Sequence, residues 1–223
     1  MQLHVKNLSI TSDTGVLLEE LTFNVSGGEV LTIMGPSGCG KSTLLSALAG
    51  HLSPVFKASG NIDVDGNDVV SLPAEKRAVG ILFQDDLLFP HLNVWQNLAF
   101  GISSKHTADE KQGMAMETLA EIGLSDIAWH APQNISGGQR ARISLMRTLL
   151  SSPKVLLLDE PFSKLDRPLR KAFREFVFSQ IAQRNIATVM VTHDEDDVPP
   201  KGKCIQWPML PASDSLEESN QDA

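Results

Sequence analysis

The sequence predicts an α/β fold, with a parallel β-sheet core, an antiparallel β part at the amino-terminal end and a helical segment inserted into the core. Three observations support this prediction. Two apolar runs, at residues 30–34 and 155–158, are typical of strands that are buried on both faces. A glycine-rich turn and a helix-compatible stretch follow the first run. Residues 85–151, between the two runs, have a helix-like composition.

The amino-terminal part predicts short antiparallel strands. Residues 3–10 and 21–25 alternate apolar and polar side chains imperfectly. The turn Ser26-Gly27-Gly28 leads into the strand at 30–34. Residues 60–70 form a second β-rich patch, in which Asp65-Gly66 is the turn signal.

Helices are predicted from stripes of apolar residues and from capping patterns. One helix follows the glycine-rich turn at 44–50, and an apolar run at 78–83 then ends at Gln84. Residues 107–110 have a capping-box pattern, and the apolar stripe behind them stops at Gly123. After Pro132, Ser136 opens a further helix that runs to Leu150.

The core resumes at the buried strand 155–158. Asp166 can cap a long helix that runs to about Arg184, and residues 187–192 form the next buried strand. We therefore expect residues 1–223 to form one unit, whose parts are the core with its antiparallel part (1–84 and 152–206), the inserted helical subdomain (85–151) and an acidic tail (207–223).

The composition excludes several classes of protein. The chain has 223 residues and a net charge of −8, whereas a protein that binds nucleic-acid backbones should show a basic face. Its apolar runs are shorter than the ~20 residues that span a bilayer, and its start lacks a signal-peptide pattern, so we expect a cytoplasmic chain. Cys39 and Cys204 are too few for a disulfide framework.

The glycine-rich turn reads GPSGCGKST and predicts a phosphate-binding loop. Its backbone N–H groups can converge on an anion, and the start of the following helix adds partial positive charge. Lys41 can reach the β- and γ-phosphates of a nucleoside triphosphate, and the Ser42 hydroxyl can ligate Mg²⁺. The predicted binding residues are Gly35, Pro36, Ser37, Gly38, Cys39, Gly40, Lys41, Ser42 and Thr43.

The run VLLLDEP places two acidic residues where a buried strand ends, which is where open α/β sheets present ligands. Asp159 is suited to hold Mg²⁺ through water. Glu160 can polarise a water molecule that attacks the γ-phosphate. Taken alone, an acidic pair after an apolar run fits an ordinary strand end as well as it fits a catalytic site.

A second phosphate cradle is predicted by the sequence NISGGQR, at residues 134–140. Two glycines behind a serine at a helix start expose backbone N–H groups and leave room for a phosphate. Because the loop at 35–43 already supplies one cradle, the second suggests that it serves the nucleotide of another molecule.

These motifs, together with Gln84, SKLD at 163–166 and His193, follow the order of an ABC transporter ATP-binding subunit, which the chain resembles over about residues 3–194. The resemblance implies a P-loop NTPase (RecA-like) parallel-sheet core. It also implies that ATP and Mg²⁺ bind between two copies packed head to tail. Ser136, Gly137, Gly138 and Gln139 of one copy would then grip the γ-phosphate held by Lys41 of the other.

The resemblance also implies roles for three further residues. Gln84 would touch Mg²⁺ or water and sense rotation of the helical part, against the alternative of a turn glutamine. His193 would hold the attacking water and the γ-phosphate, against a purely structural histidine. Asp166 would cross the dimer interface, with a plain helix cap as its rival.

The stretch 87–101 resembles the ATPases of bacterial importers for small solutes. That resemblance implies an integral membrane permease whose cytoplasmic helix docks there, a solute-binding protein acting through the permease, and a place on the inner face of the membrane. Phe89, Leu92, Val94 and Leu98 would otherwise simply pack the helical part.

The chain departs from the family at three places. Residues 11–18 hold no aromatic side chain on which adenine could stack, Lys164 stands where a small residue is common, and the strands usual after His193 are expected to be missing. Two alternatives therefore stay open. One is a soluble ABC ATPase that acts on nucleic acid or ribosomes, and the other is a regulatory subunit without useful hydrolysis.

Overall fold

The computed structural model describes residues 1–200 and 202–207. Within them, five strands form a parallel sheet in the order β6-β7-β8-β3-β9. The strands are β3 (Val30–Met34), β6 (Val79–Leu82), β7 (Val155–Asp159), β8 (Ala187–Thr192) and β9 (Lys203–Gln206). The inner strands β3, β7 and β8 are almost wholly buried, as their apolar runs predict.

A separate antiparallel sheet has the order β2-β1-β4-β5. Its strands are β1 (Gln2–Ser12), β2 (Gly15–Ser26), β4 (Phe56–Val64) and β5 (Asn67–Asp68). The predicted turn at Asp65-Gly66 joins β4 to β5, and both of its residues have positive φ. The antiparallel part of the prediction is therefore confirmed, although β1 and β2 are longer than predicted.

Five helices lie in the described part of the chain: α1 (Lys41–Ala49), α2 (Val94–Phe100), α3 (Ala108–Glu121), α4 (Gly137–Leu150) and α5 (Arg167–Arg184). Thr107 caps α3 through a complete capping box, as residues 107–110 predict, and Ser136, predicted to open α4, forms a second capping box. Helices α2 to α4 form the inserted helical part, which confirms the predicted fold class. Where this part begins and ends as a domain stays a prediction.

The parallel sheet separates two hydrophobic cores. One core lies between this sheet, α1 and the antiparallel sheet, and the other lies between this sheet and helices α2 to α5. Alternate side chains of β7 enter opposite cores, with Leu157 in the first and Leu156 and Leu158 in the second. Packing on both faces fixes the strand ends, from which the candidate site is built.

The expectation that no strand follows His193 is wrong. Strand β9 pairs in parallel with β3, with Cys204 opposite Thr32 and Ile205 opposite Ile33. Pro199-Pro200 follows a short helical turn but does not prevent an edge strand that begins at Lys203, three residues after Pro200. The acidic tail predicted for 207–223 lies outside the described residues except for Trp207.

In the described ranges 1–200 and 202–207, no helix combines the length and the apolar character that crossing a bilayer requires.

Candidate functional site

The predicted site residues lie at the carboxyl ends of four adjacent parallel strands. The phosphate loop follows β3, Gln84 follows β6, Asp159 and Glu160 end β7, and His193 follows β8. Because these strands are parallel neighbours, their carboxyl ends meet at one edge of the sheet. The topology thus gathers residues that are more than 150 positions apart in the sequence.

The phosphate loop wraps around the ammonium group of Lys41. This side chain is only 4% exposed, and its Nζ donates to the carbonyl oxygens of Gly35 at 2.8 Å and Pro36 at 2.7 Å. Gly40 precedes α1 with a φ of 100°, a conformation that favours glycine, and Leu17 of β2 packs against it. The loop therefore holds a buried positive charge at the start of a helix.

Ser42 and Asp159 meet at this helix start. The Ser42 hydroxyl donates to Oδ1 of Asp159 at 3.0 Å. Burial raises the pKa of the Asp159 carboxyl above its usual value, while the hydrogen bond from Ser42 opposes that shift. A desolvated carboxylate beside a hydroxyl is favourable for a hard cation, which would relieve the cost of burying the charge.

Glu160 and His193 form a second pair. Nδ1 of His193 lies 3.2 Å from Oε1 of Glu160, and the backbone N–H of Glu160 donates to Val191 O at 3.0 Å. Glu160 has a φ of 44°, in the left-handed region that non-glycine residues seldom adopt. The adjacent strands β7 and β8 thus place the Glu160 carboxylate and the His193 imidazole in contact with each other.

Gln84 lies opposite this pair and is tied to the segment after β7. Its side-chain amide donates to the Ser163 hydroxyl at 3.2 Å, and Ser163 donates in turn to Glu160 O at 2.9 Å. The next residues are also linked, since Lys164 forms an ion pair with Asp85. The charge of Lys164, which stands where a small residue is common in the family, is therefore paired with a carboxylate of its own chain.

These groups line one cleft of about 390 Å³, which is bordered by Ser37, Gly38, Gly40, Lys41, Ser42, Thr43, Gln84, Asp159 and Glu160. The lining includes most of the predicted phosphate-loop residues, the three predicted metal ligands and the predicted base. His193 reaches the cleft through Glu160. The predicted second cradle, at residues 136–139, does not line it.

The second cradle sits at the start of α4. The exposed Ser136 accepts from the backbone N–H of Gln139 at 3.3 Å, and the Gln139 side chain accepts from the backbone N–H of Ser136 at 2.8 Å. Asp166 likewise caps α5 by accepting from the backbone N–H of Leu169 at 3.0 Å. Its structural role is thus present, and its role between two copies stays a prediction.

The sequence prediction missed a buried network behind His193. Arg170 of α5 donates from Nε and Nη2 to the two carboxylate oxygens of Asp197, which is 1% exposed. The Thr192 hydroxyl also donates to Asp197, at 3.1 Å. This network fixes the turn after β8. Its only signal in the sequence is the acidic cluster at 194–197.

The donor set fits a magnesium ion. Hydroxyl and carboxylate oxygens, here those of Ser42 and Asp159, are the ligands that Mg²⁺ takes in phosphate sites, where substrate oxygens and water complete the shell. No cluster of three or more His, Cys, Asp or Glu side chains that could hold a metal occurs among the described residues. The cleft therefore suits a metal that arrives together with phosphate.

Comparison with known proteins agrees with this geometry. The chain matches the ABC transporter family over residues 18–163. It is 42% identical over 206 residues to the uncharacterized ABC transporter ATP-binding protein YnjD of Escherichia coli (strain K12), and the match covers 91% of this chain and 95% of that protein.

Two further relatives are named spermidine/putrescine import ATP-binding protein PotA. The protein from Pasteurella multocida is 40% identical over 192 residues, covering 85% of this chain and 51% of that protein. The protein from Mycoplasma mycoides is 38% identical over 196 residues, covering 87% and 55%. The chain thus spans about half the length of these relatives. Taken with the cleft and its motifs, these matches show that the chain belongs to the ABC transporter family, as an ATP-binding subunit.

Proposed function

We propose that this chain hydrolyses ATP in a head-to-tail dimer and thereby drives solute import through a partner permease. The observation that carries the proposal is the gathering of Lys41, Ser42, Asp159 and Glu160 in one cleft, while the second cradle at 136–139 lies outside it. Each copy then holds two half-sites that only a twin completes.

The phosphate loop binds the triphosphate of ATP. Lys41 carries three donors and can exchange its bonds to the loop carbonyls for bonds to phosphate oxygens. Ser42 and Asp159 hold Mg²⁺, which when bound neutralises charge on the phosphate oxygens. Asp159 suits this role because its carboxylate is buried. A bound cation stabilises a buried carboxylate by more free energy than an exposed one.

Glu160 orients the water that attacks the γ-phosphorus. The bond from phosphorus to the bridging oxygen breaks, ADP leaves, and the water proton passes to the carboxylate of Glu160. His193 contacts Oε1 of Glu160 through Nδ1 and so fixes the carboxylate. Gln84 lines the same cleft and, as the residue just before the helical part, couples that part to Glu160 through Ser163.

A twin supplies the second cradle. Ser136 is exposed, and the start of α4 does not line the cleft of its own chain, so a second molecule can bring its nucleotide to this helix start. ATP then stabilises the dimer by binding both surfaces at once, and hydrolysis removes that stabilisation.

The permease contacts a groove of about 530 Å³ on the other side of Gln84. Asp85, Asp86 and Leu87 line it directly after Gln84, together with Phe83, Phe89, Phe100 and Arg147. Leu87 is 56% exposed and Phe100 is 66% exposed, although both are apolar. We therefore assign a cytoplasmic helix of the permease to this groove.

The groove is shaped by a buried asparagine. Asn97 binds the backbone of the preceding loop at Phe89, Leu92 and Asn93. Val94 and Leu98 are fully buried and pack the helical part, whereas Phe89 faces the groove. Val94 and Leu98 of α2 thus have the predicted packing role, and the groove face at Phe89, in the loop before α2, supports the permease role that we propose. Movement of a helix in the groove would reach Gln84 directly, because its neighbours Phe83 and Asp85 line the groove.

Import is favoured because two relatives are named import ATP-binding proteins. On this proposal the chain lies at the inner face of the membrane through its permease, and a solute-binding protein acts through that permease. The genes that flank this one test the direction: genes for a permease and a solute-binding protein support import, and a fused exporter membrane domain contradicts it.

Phosphate release tests the hydrolysis. The wild-type chain should release phosphate from Mg-ATP, and Glu160→Gln should bind ATP while losing at least about a hundredfold in rate. The matched control is Glu175→Gln, an exposed carboxylate on α5 that should leave the rate unchanged. A wild-type chain that binds ATP and releases no phosphate would support the regulatory alternative instead.

A further inference from the structure

Trp207 contacts the phosphate loop at two places, its first residue Gly35 and its middle residue Cys39. The register of β9 against β3 places Gln206 opposite Met34, so Trp207 comes next to Gly35, the first residue of the loop. The backbone N–H of Trp207 donates to Met34 O at 2.5 Å. Its indole Nε1 donates to the carbonyl oxygen of Cys39 at 2.7 Å, four residues further along the loop.

The indole hydrogen bond fixes the direction of a peptide group. In a planar trans peptide the C=O and the following N–H point in opposite directions. With the Cys39 carbonyl held toward Trp207, the N–H of Gly40 must point away from it. Gly40 lines the cleft, so this N–H is one of the donors that a phosphate would meet.

The absence of a side chain at Gly35 lets Trp207 approach the phosphate loop closely. A Cβ on Gly35 would collide with the carbonyl oxygen of Trp207, so glycine is required for the close approach of the two backbones. The Trp207 side chain is 3% exposed and belongs to the core that contains α1 and β3. One residue therefore spans the loop from outside, from Gly35 to Cys39.

Trp95 shows that burial alone does not produce this arrangement. Its Nε1 is buried and has no hydrogen-bond partner among the described residues. Trp207, in contrast, makes a short bond to a carbonyl that helix α1 does not use. A tryptophan that served only to fill the core would not need its N–H aimed at the loop.

We propose that Trp207 is a positioning residue for nucleotide binding, which holds the phosphate loop so that its N–H groups converge on the phosphates. The inference rests on the proposed nucleotide site at residues 35–43. Strand β9 then contributes to function by placing Trp207, the residue that follows it, against the phosphate loop. Trp207 acts through the loop and does not itself touch ATP.

Trp207→Phe tests the role, because it keeps an aromatic ring and removes the donor. The dissociation constants for ATP and ADP should rise roughly three- to tenfold, which corresponds to the loss of one such hydrogen bond. The rate at saturating Mg-ATP should stay within about twofold, since the catalytic groups are intact. Trp129→Phe, at an exposed site on the helical part, is the matched control and should change neither value.

The outcomes separate this inference from the proposed function. A wild-type chain that fails to bind ATP overturns the nucleotide site itself. A wild-type chain that binds ATP while Trp207→Phe binds it equally well, whether or not the variant melts earlier, overturns only the positioning role.

Fluorescence decides the matter if Trp207→Phe does not fold. The chain has three tryptophans, so Trp95→Phe combined with Trp129→Phe leaves Trp207 as the single reporter. Adding ATP should change its emission, because the bond to Cys39 responds when the loop binds phosphate. If equilibrium dialysis shows ATP bound and the emission is unchanged, the positioning role is contradicted.

Discussion

Nδ1 of His193 lies 3.2 Å from Oε1 of Glu160, across the carboxyl ends of two neighbouring strands. This contact joins the residue proposed to orient water to a residue that follows it by 33 positions in the sequence. It requires that β7 and β8 keep their parallel register, in which Asp159 lies opposite Val191. The two side chains therefore act as one unit.

The first prediction concerns this unit. His193→Ala should lower phosphate release by about a hundredfold or more, since the Glu160 carboxylate loses the group that holds it. ATP affinity should change little, because the phosphate loop is untouched. Steady-state phosphate release checks this, with His4→Ala on the exposed face of β1 as the control. Equal losses in His193→Ala and His4→Ala would contradict the assignment.

The second prediction concerns Asp159, whose pKa burial raises in the folded chain. A carboxyl with a raised folded-state pKa loses stability as pH rises through that pKa. Asp159→Asn is neutral at every pH, so its melting temperature should exceed that of the wild type at pH 7 to 8. The difference should vanish in acid, where both side chains are neutral.

The same variant should lose the Mg²⁺ dependence of ATP affinity.

Melting curves from pH 4 to 8, recorded without nucleotide, check the stability half of this prediction. Asp126→Asn, in a short surface turn, is the control. An Asp159→Asn variant that melts below the wild type at neutral pH would show that the carboxylate is stabilising rather than strained by burial.

The third prediction concerns the buried network behind His193. Asp197→Ala should lower the free energy of unfolding by about 3 kcal/mol, because it removes the buried carboxylate that Arg170 and Arg174 share and leaves Arg170 with Asp194 alone. Urea denaturation measures the loss. Asp196→Ala removes a neighbouring carboxylate that is exposed and should cost well under 1 kcal/mol. Equal costs for the two variants would mean that the network contributes no special stability.

The fourth prediction concerns Lys164, the atypical residue in the SKLD stretch. Its partner Asp85 belongs to the same chain, and both side chains are more than half exposed. Lys164→Ala should therefore shift the free energy of unfolding by less than about 1 kcal/mol, and less still in 0.5 M salt. Nucleotide affinity should stay within about twofold. A larger loss of affinity would mean that Lys164 contacts nucleotide directly.

Much of the site could be predicted from the sequence, because its motifs follow strand ends. The run VLLLD predicts a strand buried on both faces, and such a strand ends where ligands bind. The capping residues Thr107, Ser136 and Asp166 were predicted for a similar reason, since their side chains act on backbone groups three positions away.

What could not be predicted depends on contacts between distant residues. Strand β9 is short and lies after two prolines, so no local pattern separates it from a loop. It exists because β3 offers an unpaired edge, and its function depends on the indole of Trp207 reaching Cys39. The bond between Arg170 and Asp197 likewise joins residues 27 positions apart, which no local period reveals.

The central claim is that each nucleotide site needs two copies, and mixing two inactive variants tests it most directly. Lys41→Ala removes the charge of the phosphate loop. Ser136→Asp keeps a good helix cap but sets a negative charge against the γ-phosphate. Each variant alone should release almost no phosphate.

In a head-to-tail pair of these two variants, one site carries both changes and the other carries neither. An equal mixture should therefore recover about a quarter of the wild-type rate, since half of the dimers are mixed and each mixed dimer has one intact site. A mixture that stays as inactive as its components, at concentrations where the wild type is active, would contradict the account.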